Sequence, residues 1–313
     1  LVGQRVRLIE DKRGPFAERF NGANAGIALI YVDGDMVDGR SQTIPLLGVK
    51  LAGSYTIAES LKQMREDGRI SAVVLRIETG GGSAMAADVI WRQVEITAKV
   101  KPVIVSMGSA AASGGYYIAA PATRVYANPL SITGSIGIFY GKADVSELLH
   151  KIGVSVEVFK TAPRADAESI FRPYTDDERT ELQRKILQFY DMFLSRVATG
   201  RKLTKSAVDA VGQGRVWTGE QAFQRKLVDE IGGLRQAIEQ ARKLGDLSDD
   251  APIVELPVET SFLGKLIGAA GAHAGEKAPL LPPQLLDMAR ALAPFAVQAS
   301  DRPQAHIELL PVE

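Results

Sequence analysis

Short apolar runs that alternate with amphipathic stretches constrain the fold of this chain more than any other feature of its sequence. The runs at 26–32, 70–77 and 103–107 are rich in β-branched residues and lack clean alternation, which predicts strands buried on both faces. Apolar residues with helical spacing fill the intervals at 56–67 and 84–99. Strands that alternate with helices in this way indicate an α/β layer architecture.

The second half of the chain shifts toward helices. Thr175-Asp-Asp-Glu178 is a capping-box pattern, and the apolar spacing behind it predicts a long helix to about Ala198. The remaining elements are predicted as strands at 124–127 and 154–159 and as helices at 145–151, 204–211 and 218–226.

Composition excludes several classes of function. The chain has 313 residues, enough for one large core or for one core with a smaller appendage. Its 37 basic and 37 acidic residues cancel, so nothing draws it generally to nucleic acid. It has no cysteine, which rules out disulfides and thiol nucleophiles. No spacing of His, Asp and Glu resembles a ligand set, and we expect neither a metal site nor a cofactor.

The two ends of the chain differ from its middle. Residues 1–25 are polar and predict a lead-in segment, whereas the tail at 246–313 is richer in Pro, Gly and Ala. The most apolar stretch, 262–272, falls short of the roughly 20 residues that span a bilayer and carries Lys265. A second apolar stretch, 285–297, fits core packing, a partner surface or membrane-surface contact. The chain begins without Met, so we expect a mature or truncated product or a piece of a longer chain, with any membrane anchor outside this sequence.

Three glycine-rich turns, each following a strand-like run, are the segments most suggestive of a catalytic or binding site. They read Thr79-Gly-Gly-Gly-Ser83, Ser109-Ala-Ala-Ala-Ser-Gly-Gly-Tyr-Tyr117 and Thr133-Gly-Ser-Ile-Gly137. Ser113, followed by Gly114, falls where a helix would begin, so that backbone N–H groups surround its hydroxyl. That setting suits a nucleophile with an oxyanion hole, and it also suits a serine that only caps a helix. A phosphate site is less favoured, because none of the turns contains lysine.

Five ordered segments carry a resemblance to a known family. They are Leu75-Arg-Ile-Glu-Thr-Gly-Gly-Gly-Ser83, Ser106-Met-Gly-Ser-Ala-Ala-Ala-Ser-Gly-Gly-Tyr-Tyr117, residues 130–138, Gly214-Arg-Val-Trp-Thr-Gly219 and Leu227-Val-Asp-Glu230. Their order and separations resemble those of the signal peptide peptidase A (protease IV) family over about residues 25–245.

The resemblance implies a crotonase-like (ClpP-like) fold over residues 26–245, followed by a helical C-terminal extension at 246–313 that is a candidate oligomer contact. It implies a homo-oligomeric serine endopeptidase that hydrolyses peptides, including cleaved signal peptides. It also implies a place at the outer, periplasmic face of the bacterial cytoplasmic membrane.

Matched positions assign the site residues that the resemblance implies. Ser113 is the nucleophile, and Gly81, Gly82 and the N–H of Gly114 line the oxyanion region. The family uses a Ser/Lys dyad, in which a lysine kept neutral by burial takes the serine proton. The side-chain preference of the substrate pocket is not readable from the sequence, and Tyr116, Tyr117 and Ile136 are only candidates for apolar surface in it.

Two positions depart from the family pattern. Gly80 stands where the family has proline, which should loosen the first turn. Ala165 stands where the family has its general-base lysine, and alanine accepts no proton. Lys160 is the alternative general base within this chain, and Lys142 is a less favoured one. Arg164 is excluded, because arginine does not deprotonate in proteins.

The missing lysine favours one explanation and leaves others open. Double-length members of the family take the serine from their C-terminal half and the lysine from their N-terminal half, so we expect this chain to be the C-terminal half. The alternatives are a catalytically inert assembly half, a triad of His150 with Asp144 or Asp166, and a crotonase-fold acyl-CoA enzyme that uses Glu78.

Overall fold

The computed structural model describes residues 25–44, 49–257 and 304–306. The strands in these ranges are β1 (Gly26–Asp33), β2 (Asp35–Val37), β3 (Gln42–Ile44), β4 (Val49–Gly53), β5 (Ile70–Thr79), β6 (Gly81–Ser83), β7 (Val103–Ala112), β8 (Arg124–Ala127), β9 (Ile132–Gly134), β10 (Val216–Thr218), β11 (Glu230–Ile231), β12 (Ile253–Leu256) and β13 (Gln304–His306). The helices are α1 (Ser54–Glu66), α2 (Ala84–Ala98), α3 (Gly114–Ala119), α4 (Ser146–Lys151), α5 (Asp176–Arg201), α6 (Lys205–Val211), α7 (Gly219–Gln224) and α8 (Leu234–Leu244).

A mostly parallel sheet forms the centre of the molecule. β12, β1, β5 and β7 lie side by side in parallel. The first part of β7 pairs with β8 and its last part with β9, both in parallel. β11 adds to β8 in parallel, and β10 adds to β9 in the antiparallel direction. The predicted α/β architecture is confirmed, and β12 extends the central sheet past Gly245.

Helices cover both faces of this sheet. Alternate residues of β1, β5 and β7 pack on one face into the main core, against α1, α2 and α3. The opposite residues, such as Ile27, Val74 and Ile104, pack against Ala237 and Ala241 of α8. Burial on both faces explains why these strands read as apolar runs without alternation.

A smaller sheet, in the order β13-β6-β2-β4-β3, carries the first glycine-rich turn. β6 lies parallel to β2, with Gly82 opposite Met36, and antiparallel to β13, with Gly82 opposite Ala305. Gly82 has φ +139°, and a Cβ built on it would lie 2.3 Å from the carbonyl oxygen of Met36. Only glycine fits there, so this turn is part of a sheet and not a free loop.

The predicted capping box at the start of the long helix is confirmed. The Thr175 hydroxyl accepts from the Glu178 N–H, and the Glu178 carboxylate accepts from the Thr175 N–H. The helix, α5, continues to Arg201, past the predicted end at Ala198. The predicted helices at 204–211 and 218–226 are present as α6 and α7, each capped by a threonine hydroxyl.

Residues 139–175, here called the arm, stand away from the core. No arm residue is buried. The strand predicted at 154–159 is wrong, because that segment is solvent-exposed and pairs with no strand among the described residues. The large apolar side chains that the arm exposes are Phe139, Leu148, Ile152, Val154, Val156, Val158, Phe159, Ile170 and Phe171.

The arm is fastened to α5 through Arg172. Its guanidinium donates to Asp166 at 2.7 Å on the arm and to Glu178 at 2.6 Å in the first turn of α5. Lys142 ties the arm to itself, since its ammonium donates to the carbonyl oxygens of Ala167 and Ser169. Among the helices of the described ranges, none combines the length and the apolar character that crossing a membrane requires.

Candidate active site

Ser113 lies at a sharp bend between β7 and α3. Its backbone has φ 51° and ψ −114°, a combination that residues other than glycine rarely adopt. A strand, a strained serine and a helix in this order form the type of turn that presents a nucleophile to a substrate. The Ser113 side chain makes no capping hydrogen bond to α3, so the serine does not act as a helix cap here.

The three predicted turns meet at this bend. The Ser113 N–H donates to the carbonyl oxygen of Gly134 in the third turn at 2.9 Å. A Cβ on Gly115 would lie 2.8 Å from Cγ2 of Thr79, so the first turn packs directly on the start of α3. Elements far apart in the sequence are thereby brought around one hydroxyl.

The backbone N–H groups that the sequence suggests as donors near Ser113 differ in whether they already have an acceptor. Gly114 and Gly115 are the first residues of α3, where N–H groups have no acceptor within the helix. Neither N–H donates to another group in the described part of the chain. The Gly81 N–H, by contrast, already donates to the Thr79 hydroxyl at 3.1 Å, which directs it into its own turn. Gly114 is therefore better placed than Gly81 to bind an oxyanion in this conformation.

The apolar residues expected to line the pocket belong instead to the core. Tyr116 and Ile136 are fully buried, and the Tyr116 hydroxyl donates to the carbonyl oxygen of Leu227 at 2.9 Å. The Tyr117 hydroxyl donates to Asp88 at 2.7 Å, and burial followed by this hydrogen bond raises the pKa of Tyr117 above its usual range. These side chains pack in the core next to the bend, and they expose little surface that a substrate could contact.

The arm holds the position matched to the general base, and no lysine occupies it. Ala165 lies in a turn in which its N–H donates to the carbonyl oxygen of Ala162. Lys160 is half-exposed, with its ammonium 3.0 Å from Asp166 and 3.2 Å from the carbonyl oxygen of Pro163. Lys160 therefore makes its contacts within the arm, as Lys142 does.

The residues of the alternative triad have other partners. Asp144 accepts from the N–H and the hydroxyl of Ser146, and it thereby begins α4. Asp166 is held by Arg172 and Lys160, whose hydrogen bonds lower the pKa of its carboxyl well below the usual range. His150 is exposed at the end of α4 and contacts neither carboxylate in the described structure.

Sequence reasoning missed the network around Glu78. This carboxylate, considered above as a thioester-type catalytic group, accepts hydrogen bonds from the backbone N–H groups of Ser109 and Ala110. The available signal was a glutamate where the family turn carries Asn or Asp, at the end of a strand beside a glycine-rich segment.

Comparison with known proteins identifies the family. Residues 95–248 match Peptidase family S49. A putative protease of Methanocaldococcus jannaschii is 30% identical over 276 residues, which cover 86% of this chain and 88% of that protein. The chain belongs to peptidase family S49. Within that family, a putative signal peptide peptidase SppA of Enterococcus faecium is 32% identical, with 78% of this chain and 72% of the relative covered.

Longer S49 relatives match with higher identity over a smaller share of their length. Protease 4 of Haemophilus influenzae is 40% identical over 77% of this chain, and the match covers 38% of that protein. The chloroplastic serine protease SPPA of Arabidopsis thaliana is 35% identical, with 34% of its length covered. The chain thus spans a little over a third of these relatives.

Proposed function

We propose that the chain is the serine-bearing half of an S49 peptidase, with Ser113 as the nucleophile of a Ser/Lys dyad. The observation that carries the proposal is the strained bend at Ser113, where a buried hydroxyl with no capping role adjoins the N–H groups of Gly114 and Gly115. Backbone strain of this kind persists where a site requires it.

The proposed reaction is acyl transfer. A neutral lysine takes the Ser113 proton while Oγ attacks the scissile carbonyl, and the N–H of Gly114, with help from Gly81 and Gly82, holds the oxyanion. One such donor contributes about 3–4 kcal/mol to the transition state. The lysine then returns the proton to the leaving amine, and water releases the acyl group by the same route.

The lysine is proposed to come from another half or subunit. Two observations support this: Ala165 occupies the matched position, and both Lys160 and Lys142 are bound within the arm. The chain also covers only 38% of Protease 4 of Haemophilus influenzae, which leaves room for a second half. The apolar side chains exposed on the arm fit contact with such a partner.

Several finer features belong to the same proposal. The fold is proposed to be crotonase-like (ClpP-like), with a peptidase domain at 26–245 and a C-terminal extension at 246–313 that contributes to oligomer contacts. The substrates are proposed to be peptides, such as cleaved signal peptides, at the outer face of a bacterial cytoplasmic membrane. Names of the relatives, among them a signal peptide peptidase, support this substrate class.

Labelling with a fluorophosphonate probe tests the nucleophile and the source of the base together. The chain alone, the chain mixed with the N-terminal half from the same source, and Ser113→Ala in each setting are compared. We expect only the mixture to label, and only with Ser113 present. Ser135→Ala is the matched control, because Ser135 is also buried and also has a positive φ, of 49°; it should label like the parent.

Other outcomes of that experiment point elsewhere. Strong labelling of the chain alone at Ser113 would place a base within these residues and return attention to Lys160 or His150. An absence of labelling in every setting would favour the second candidate, a catalytically inert assembly half, which the alanine at 165 supports.

Substitution at position 165 tests the matched position itself. Copies of this chain could assemble so that the arm of one copy reaches Ser113 of another. In that case the fluorophosphonate probe should label Ala165→Lys at Ser113 without the partner half. Ala165→Arg is the control of similar size and charge that cannot give up its proton. Equal labelling of the two variants would show that charge, and not base chemistry, is responsible.

A further inference from the structure

β7 carries two more residues than its neighbour β5 shortly before Ser113. Ile77 pairs with Met107, and the next pair joins Thr79 to Ala111. Between these pairs β5 contributes Glu78 alone, whereas β7 contributes 108–110. Such a bulge takes backbone N–H and carbonyl groups out of the regular ladder, and each of them needs another partner.

The carboxylate of Glu78 replaces the missing ladder partners. One of its oxygens accepts from the Ser109 N–H at 2.9 Å, and the other accepts from the Ala110 N–H at 3.1 Å and from the Ser109 hydroxyl. A Cβ on Gly108 would lie 1.7 Å from a Glu78 oxygen, so glycine at 108 is what admits the carboxylate. Hydrogen bonds from N–H groups to an ionised acceptor are stronger than those to a neutral one.

Neighbouring side chains satisfy the carbonyl groups of the same bulge. Arg76, two residues before Glu78 on β5, donates to the carbonyl oxygen of Met107 at 2.9 Å. The Ser131 hydroxyl donates to the carbonyl oxygen of Gly108 at 2.6 Å. Side chains thus accept from two N–H groups of the bulge and donate to two carbonyl groups at its start, and Glu78 is the acceptor for both N–H groups.

The bulge decides where Ser113 lies. Before it, β7 pairs with β8, and the last such pair is Ser106 with Tyr126. After it, β7 pairs with β9, beginning at Ala110 with Ile132. The Ser113 N–H then donates to Gly134, the last residue of β9. The change of partner that sets up this contact occurs across the bulge at 108–110, in which Glu78 accepts hydrogen bonds from Ser109 and Ala110.

We propose that Glu78 is a positioning residue for the nucleophile. Its carboxylate fixes the bulge at 108–110, and the bulge places Ser113 at Gly134 and beside the N–H of Gly114. The inference rests on the proposed role of Ser113. It also assigns a use to the carboxylate that directly precedes the first turn, whose two oxygens accept hydrogen bonds from Ser109 and Ala110.

Kinetics of Glu78→Gln in the presence of the lysine-bearing half test the proposal. The glutamine side chain keeps the size of glutamate, but its amide nitrogen cannot accept an N–H. We expect kcat for a peptide substrate to fall on the order of 10- to 100-fold, with KM within about twofold, because substrate contacts are unchanged. Glu59→Gln, which removes an exposed glutamate paired with Arg40, is the matched control and should behave like the parent.

Amide hydrogen exchange supplies a readout that does not depend on activity. In the parent, the Ser109 and Ala110 amides should be protected although neither residue is paired with β5. In Glu78→Gln they should exchange faster, while amides of α5 remain unchanged. Unprotected Ser109 and Ala110 amides in the parent would overturn the proposal, even if the variant does not fold.

The two proposals fail in different ways. If Ser113→Ala still labels, the nucleophile is wrong whatever Glu78 does. If Ser113→Ala abolishes labelling and a folded Glu78→Gln keeps the parental kcat, the nucleophile stands and the role of Glu78 is wrong.

Discussion

Gly115 lies so close to Thr79 that a Cβ on Gly115 would sit 2.8 Å from Cγ2 of the threonine. This contact joins the first glycine-rich turn to the bend that carries Ser113. Gly115→Ala should push the two turns apart, lower the rate of Ser113 labelling and reduce the free energy of unfolding by about 1–3 kcal/mol. Urea unfolding and labelling kinetics measure the two effects.

Gly68→Ala is the matched control for that change. No atom lies within 4 Å of a Cβ at position 68, which is likewise not at a positive φ. It should leave both measurements unchanged, and a Gly115→Ala protein that labels at the parental rate would contradict the role assigned to the contact.

The C-terminal strand β13 gives a prediction about access to the site. It pairs antiparallel with β6 at residues 81–83, so this edge accepts an extended segment, as peptide-binding edges do. A chain that ends at Arg302 lacks β13. It should react several-fold faster with a peptidyl phosphonate, which needs the edge, and at an unchanged rate with a small alkyl fluorophosphonate, which does not.

Retention of the parental rate with the peptidyl probe would show that β13 and the substrate do not compete. A slower reaction with both probes would instead indicate that β13 supports the fold of β6.

Much of the central sheet was predictable from the sequence because its strands are buried on both faces. The runs at 26–32 and 70–77 became β1 and β5 with only small changes at their ends. The capping box at Thr175 was also predictable from the sequence, since the two residues that form it are only three positions apart.

Features that depend on distant partners were not predictable. β7 extends to Ala112 through a Gly-Ser-Ala-Ala-Ala segment of weak strand preference, because β9 and Glu78 supply its hydrogen bonds. Conversely, the valines at 154, 156 and 158 alternate like a strand, yet the described structure offers them no neighbouring strand. The strain at Ser113 has no sequence signature beyond the glycines that follow it.

A buried ion pair beneath α3 should dominate the stability of this region. Arg201, whose side chain is 7% exposed, donates to Asp229 at 2.6 Å, and Asp229 also accepts from the Val125 N–H at 2.8 Å. Asp229→Ala leaves the guanidinium buried and unpaired, which should reduce the free energy of unfolding by about 3–5 kcal/mol. Denaturant unfolding measures this loss.

The comparison pair for that experiment lies on the surface. Glu95 of α2 pairs at 2.7 Å with Lys99, the residue directly after that helix, whose side chain is 63% exposed. Glu95→Ala should cost less than about 1 kcal/mol, and equal losses for the two variants would show that burial of the Arg201 pair has no special weight.

Acid should release the arm from α5. Hydrogen bonds from Arg172 and from the Thr175 N–H lower the pKa of Glu178 from 4.5 to about 2. A carboxyl with a lowered folded-state pKa stabilises the fold above its unfolded pKa, and that stabilisation is lost as the pH falls through the folded pKa. The amides of the arm should therefore lose protection, measured relative to their intrinsic exchange rate at each pH, as the pH drops from about 4.5 toward 2.

Glu178→Gln should remove most of this acid sensitivity and loosen the arm already at neutral pH. Glu239→Gln, at an exposed position of α8, should leave the acid profile unchanged. An arm whose amide protection factors are equal at pH 3 and pH 6 would show that the Arg172 contacts do not hold it.

The conformation of Ser113 also bears on how this protein can evolve. A residue with a side chain at φ 51° and ψ −114° costs about 1–3 kcal/mol relative to glycine, which adopts such angles freely. A library selected only for survival at high temperature should therefore enrich glycine at position 113, and the enriched proteins would lack the hydroxyl that is proposed as the nucleophile. Heat resistance and the proposed chemistry thus place opposite demands on this one position.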